Sequence, residues 1–194
     1  MESWISPEHK RSDFSGPFTV DDLVKIYDAR ARGWFLKWVE ELHPKNGAGF
    51  AALQLALSYF EHHAILYQGN RSSNKKSVQL FTDGFLSVFP PGGRTTPKMA
   101  TEIAVLVYKD ARCGLFHQGI TGPRVVLLDH GVVMTAKINP TTGKVEAVAV
   151  DIHKFVERIE EHSKQYISRL RDPNETALRQ RFKEGWIILH TPKL

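Results

Sequence analysis

The run Pro90-Pro91-Gly92-Gly93 constrains the fold of this chain more than any other feature. Two residues without a backbone N–H and two with no side chain cannot be crossed by a regular element. The apolar stripes on its two sides must therefore be separate helices that fold back on one another. Upstream, Thr19 with Asp22 three residues on forms a capping box. Leu23, Ile26, Tyr27, Phe35, Trp38, Val39 and Leu42 then recur at helical spacing, which predicts a first helix to about Leu42, with Pro44 beyond its end. After the Asn46-Gly47 turn, Phe50, Leu53, Leu57, Phe60 and Ala64 mark a second helix ending near Gly69. The polar run Asn70 to Lys76 is a loop, and Val78, Phe81, Phe85 and Phe89 form a third stripe that the proline pair stops. A fourth helix begins at Pro97 or Lys98 and carries Ile103, Val105, Leu106, Tyr108, Ala111, Leu115 and Phe116 on an apolar surface.

The pattern then changes period. Val125 to Leu128, Val132 to Ile138 and Val145 to Val150 are β-rich, with a hairpin turn at Asn139-Pro140-Thr141-Thr142-Gly143. Asp151 caps a fifth helix through Phe155, Val156, Ile159, Tyr166, Ile167 and Leu170. Beyond Pro173 the pattern predicts a short charged helix to Phe182 and an apolar tail from Trp186 to Leu189. The expected architecture is mainly α, a bundle of four to five helices with a small antiparallel β-hairpin inserted before the last long helix. Residues 1–18 form an N-terminal extension, 19–172 one helical domain with the β insert around 125–150, and 173–194 a C-terminal extension packing on the same domain. At 194 residues, 42% of them hydrophobic, the chain can bury one substantial core.

Composition narrows the function classes. The 26 Lys and Arg against 21 Asp and Glu leave a net charge of +5, a mild bias toward anionic partners. A single cysteine, Cys113, excludes an intramolecular disulfide and a cysteine-based zinc cluster, and it fits a reducing compartment. No stretch reads as a signal peptide or a membrane span, so a cytoplasmic protein without membrane contact is expected.

The chemistry concentrates in Arg112-Cys113-Gly114-Leu115-Phe116-His117-Gln118-Gly119. Arginine is a permanent cation whose planar fork matches a phosphate, and imidazole exchanges a proton near neutrality. Together they can break an RNA phosphodiester without a metal, one moving protons to and from the 2′-hydroxyl and 5′-oxygen, the other stabilising phosphorane charge. Residues five apart on an ideal helix lie about 140° apart around its axis, so the pair shares a site only if the helix ends near His117. Gly119 is placed to end it, and the exposed carbonyls of a last turn favour a cationic imidazole.

Four helices with R-x-x-x-x-H near the end of the fourth, Leu115-Phe116 before the histidine, Gly119 after it and Thr121-Gly122 following resemble the HEPN superfamily (higher eukaryotes and prokaryotes nucleotide-binding). The likeness covers the layout from Thr19 to Arg171 and is sharp over about a dozen residues around the motif. It implies an HEPN-like helical bundle that forms a homodimer with two motifs facing across a cleft. It also implies metal-independent cleavage of single-stranded or loop RNA, leaving a 2′,3′-cyclic phosphate. Arg112 maps to the phosphate-orienting cation and His117 to the catalytic imidazole. Cys113, Gln118, Thr121 and Arg124 are the expected substrate contacts, with no cofactor and no metal. Toxin and antitoxin pairs and phage defence are the usual context, so a cognate antitoxin is a candidate partner beside RNA or a nucleotide. The family commonly has Asn, Asp or His after the arginine, where this chain has Cys113. Members that have lost catalysis act as nucleotide- or partner-binding modules, the alternative reading here.

Other polar residues read more plainly. Glu61-His62-His63 could line the motif's cleft or bind metal, but neighbouring histidines point about 100° apart and do not easily chelate one ion together, so a partly exposed polar face is the favoured reading. Asp129-His130-Gly131 fits a turn between strands. Lys75, Lys76, Arg94 and Arg124 could guide an RNA backbone, although most such charges are only solvated surface, and Arg124 lies nearest the motif. Trp34, Trp38 and the phenylalanine stripe fit core or dimer interface.

Overall fold

Thr19 accepts a hydrogen bond from the Asp22 amide at 3.2 Å while the Asp22 carboxylate accepts from the Thr19 amide at 2.9 Å, and this reciprocal cap starts the first helix. A computed structural model describes residues 3–190 apart from Asn46 and His130. Helix α1 (Val20–Arg30) runs on through a π-helical segment, Ala31–Leu36, into α2 (Lys37–Leu42). The π segment changes the angular register. Leu36 and Val39 turn inward, and Trp34 and Trp38 stay 50% and 48% exposed. This corrects the core assignment of the two tryptophans.

Helix α3 (Gly49–Gln68) is the central rod. Its buried residues include Leu53, Ala56, Leu57, Tyr59, Phe60, His63 and Ala64, which cover several faces because neighbours pack on more than one side. Helix α4 (Ser77–Val88) crosses it at Gly84, where a Cβ would lie 2.0 Å from the Phe60 carbonyl oxygen. Helix α5 (Pro97–Leu106) starts at Thr96, whose hydroxyl accepts from the Met99 amide at 3.2 Å with Pro97 in the first helical position. It continues through a second π segment, Val107–Arg112, into α6 (Cys113–Gln118).

The β region is a mixed sheet of β1 (Val125–Leu127), β2 (Met134–Ile138) and β3 (Val145–Val150) in the order β1-β3-β2. The expected hairpin is β2 with β3, antiparallel, and its turn is held by Asn139 Oδ1 accepting from the amides of Thr141 and Thr142 at 2.9 and 2.8 Å. The wholly antiparallel expectation is corrected at β1, which pairs parallel to β3 with Val125 opposite Val148. Alternation within a strand reports which face is buried, not which way the neighbour runs.

Asp151 caps α7 (Ile152–Arg171) by accepting from the Lys154 amide at 3.2 Å. The C-terminal region is a single helix, α8 (Thr176–His190), in place of a short helix and a tail, because Leu178, Phe182, Gly185 and Trp186 recur on one buried side. Two apolar clusters fill the molecule. One joins Phe60, Phe81, Phe85 and Phe155 with Val148 and Val150 of the sheet. The other joins Leu23, Tyr27, Leu66, Tyr166 and Phe182, with Ile5, Phe14 and Phe18 of the N-terminal segment packed against it. The molecule is mainly helical with one small sheet, and among the described residues no helix is long and apolar enough to cross a membrane.

Candidate functional site

The second π segment ends on Arg112, and α6 lasts only until Gly119 adopts φ of +74° and donates its amide to the Leu115 carbonyl at 3.2 Å. That left-handed cap is the helix end the motif requires. Arg112 and Phe116 are neighbours at i and i+4, and the guanidinium carbon lies 5.3 Å from the Phe116 ring centre. The His117 ring sits 5.2 Å from the same ring, edge to face. Phe116 is 65% exposed, so Arg112 and His117 both approach one phenyl ring at the surface. Tyr108, one turn earlier, lies under the guanidinium at 5.6 Å.

Arg112 also reaches across to α3. Its Nε donates to Glu61 Oε1 at 2.9 Å, the only hydrogen bond it makes among the described residues. The two Nη groups keep their donors available, the geometry a phosphate or carboxylate needs. The pair lines a groove of about 290 Å³ with Ser58, His62, Ile65 and Phe116. His117 is not part of that groove. It is exposed, and its side chain has no hydrogen bond or ion pair among the described residues.

The remaining motif residues serve the loop that follows. The Gly122 amide donates to the Asp110 carbonyl at 2.6 Å, folding the chain back over the π segment. Arg124 forks the largely buried Asp110 carboxylate through Nε at 2.9 Å and through Nη2, which raises the affinity of Arg124 for its proton. Its fork is thus already filled. The Thr121 hydroxyl donates to the Val125 carbonyl at 2.9 Å. Cys113 is half-buried, and Gln118 is exposed. Burial, with Cys113 beside it, pushes the Tyr108 hydroxyl pKa up. Lys75 is paired with Asp83 at 2.6 Å, while Lys76 and Arg94 are exposed.

The two adjacent histidines of α3 part company, as a 100° rotation requires. His62 stacks on Tyr27 with rings 6° from parallel and opens to the groove on one side. Crowding by the groove walls, with positive charge from His190 and Arg30, brings its pKa down to about 4, so it is a neutral imidazole at pH 7. His62 is exposed and Glu61 partly so, as a partly exposed polar face requires, but His63 is fully buried, which corrects that expectation at this residue. It lies between Tyr59 at 5.4 Å, His162 at 4.6 Å and Tyr166 at 4.7 Å, with neither ring nitrogen hydrogen-bonded. Burial holds its pKa well below the ordinary value. A second cavity of about 290 Å³, bounded by Arg30, Trp34, Tyr59 and Trp186, shares Ser58 and His62 with the Arg112 groove. Comparison with protein-family models, with curated proteins and with solved structures finds no match for this chain.

The arrangement offers a cation with open donors, a neutral imidazole at its side and exposed aromatic surface at both ends, Phe116 and Trp34. It can bind an anion joined to a planar ring. Ser58 and Arg30 were not among the sequence candidates for such contacts, whereas Glu61-His62-His63 had been weighed as lining the same cleft. For Glu61 a signal existed, since it directly precedes the histidine pair, but nothing in the spacing joins it to Arg112, 51 residues away. Among the described residues no three His, Cys, Asp or Glu side chains form a ready metal cage. Of the Asp129-His130-Gly131 turn, His130 lies outside the described residues.

Proposed function

We propose that this chain is an HEPN-like, metal-independent endoribonuclease that cuts single-stranded or loop RNA. The observation that supports it is that Arg112 and His117 both approach the exposed Phe116 ring, with both Nη groups of Arg112 unpaired. In this reading Arg112 holds the scissile phosphate by two donors and stabilises the charge that gathers on it in the transition state. His117 takes the 2′-hydroxyl proton or protonates the leaving 5′-oxygen, and the same residue of a second copy supplies the complementary step. Flexible RNA is favoured because in-line attack needs an unstacked backbone.

The test is incubation of the purified protein with a mixed single-stranded RNA pool in EDTA, beside Arg112→Ala and His117→Ala. Cleavage with cyclic-phosphate ends, lost by at least about a hundredfold in both variants, is the expected result. Equal activity in His117→Ala removes that residue from the chemistry. A second reading, a non-catalytic nucleotide- or partner-binding module, is favoured by the Glu61 carboxylate that occupies Arg112 Nε and by Cys113 where a polar residue is common. It expects binding of RNA or a nucleotide without turnover.

A further inference from the structure

The cavity beside the Arg112 groove is built around a second arginine. Arg30, in the last turn of α1, contacts two indoles, its guanidinium carbon 5.0 Å from the Trp186 ring centre and 5.6 Å from that of Trp34. Its Nε donates to the Ile5 carbonyl at 2.5 Å and its Nη1 meets His190 Nε2 at 2.7 Å, while Nη2 makes no hydrogen bond among the described residues. Phe35 and Tyr59, stacked with ring centres 6.3 Å apart, supply further walls. Trp186 is buried and Trp34 half-exposed, so the Trp34 ring is the aromatic surface left open to a ligand.

The cavity and the groove share one ridge of α3, Ser58 and His62, which are neighbours on successive turns. A ligand lying across that ridge reaches Arg112 on one side and Trp34 on the other. At about 290 Å³ the cavity is at the lower end of the roughly 300–1,000 Å³ usual for small-molecule sites, room for one ring system and not for a peptide segment. We propose that it receives the base of a nucleotide, free or within an RNA strand, whose phosphate lies on Arg112. The base packs on Trp34 and turns an edge toward Arg30 Nη2. A guanidinium only donates, so it meets a carbonyl oxygen or ring nitrogen of that edge. Ser58 Oγ donates to the Leu55 carbonyl at 2.7 Å, which leaves its lone pairs to accept from a base N–H. Aromatic packing suits any base, since every base has a π-face. The proposal rests on the reading of Arg112 as a phosphate-binding cation and not on cleavage.

Calorimetry on the full chain at pH 7.5 compares guanosine 5′-monophosphate, whose O6 and N7 both accept, with ribose 5-phosphate, which lacks the base. Neither probe offers a bond for the ribonuclease to cut, so failure of the base site and failure of cleavage are read separately. The nucleotide is expected to bind at least about tenfold tighter than the sugar phosphate. Trp34→Leu removes that advantage and leaves ribose 5-phosphate binding unchanged, and Arg112→Ala weakens both. Trp38→Leu is the control, a comparably exposed indole outside the cavity wall, and keeps the advantage. Indole 1H–15N spectra of the wild type need no variant to fold: the Trp34 and Trp186 resonances shift with the nucleotide while those of Trp4 and Trp38 stay. A 2′-O-methylated trinucleotide that binds tighter than the mononucleotide assigns the base to an RNA strand, and the reverse order assigns it to a free nucleotide. Equal affinity for the two monophosphates, no binding of guanosine monophosphate, its full advantage retained in Trp34→Leu, or an unmoved Trp34 resonance would overturn the proposal, whether or not RNA is cut.

Discussion

Glu61 decides how ready Arg112 is to meet an anion. The pair is partly buried, at 29% and 20% side-chain exposure, and it holds the guanidinium against α3 through one nitrogen while two point away. Partly screened pairs of this kind contribute about 1 kcal/mol or less to folding. Glu61→Gln should therefore shift the urea midpoint little and tighten binding of a fluorescent single-stranded RNA, read by anisotropy at fixed salt. Weaker binding would mean that Glu61 orients Arg112 and does not merely compete with the phosphate. Arg124 lies at the opposite extreme, with its whole fork on Asp110. Arg124→Ala is expected to cost stability by leaving the largely buried Asp110 carboxylate with fewer partners, on the order of 1–3 kcal/mol in chemical denaturation.

Helices here are placed by small residues and by interruptions. Gly84 lets α4 touch the α3 backbone, and a methyl group there meets the Phe60 carbonyl at 2.0 Å with no side chain able to yield. Gly84→Ala should destabilise by about 1–3 kcal/mol, seen as a lower melting temperature. Gly119→Ala forces a Cβ into left-handed backbone and costs about 1 kcal/mol, and it should also lower RNA binding by disturbing the end of α6. The π segments act over longer reach. Each turns the face downstream of it, and the second ends on Arg112 itself.

The molecule as a whole carries an acid sensitivity built from three histidines whose proton affinity is lowered. His62 and His162 are held near a pKa of about 4, chiefly by loss of water, and His63 well below the ordinary value for the same reason. A histidine with a depressed folded-state pKa is neutral in the native protein while the unfolded chain still takes up protons near pH 6.5. Stability is then whole above about pH 6.5 and declines as pH falls toward about 4. The urea midpoint should drop between pH 7.5 and pH 5. His63→Phe, which keeps the aromatic packing against Tyr59 and Tyr166 without ring nitrogens, should flatten that slope.

Local chemistry made much of this protein legible from its residues. Thr19 and Asp22, Pro97, Asp151 and Gly119 mark helix ends by local chemistry that reaches no further than four residues, and apolar spacing showed Phe60, Phe81, Phe85 and Phe155 as core. Contacts between distant segments were not legible, because periodicity names the buried side of an element and not its partner. The parallel pairing of β1 with β3, the outward turn of Trp34 and Trp38, the seat of Arg112 on Glu61 and the meeting of His43 with His153 all arise between distant segments or from a change in helical register. They exist only once the helices have packed, since packing alone brings such groups within reach of one another.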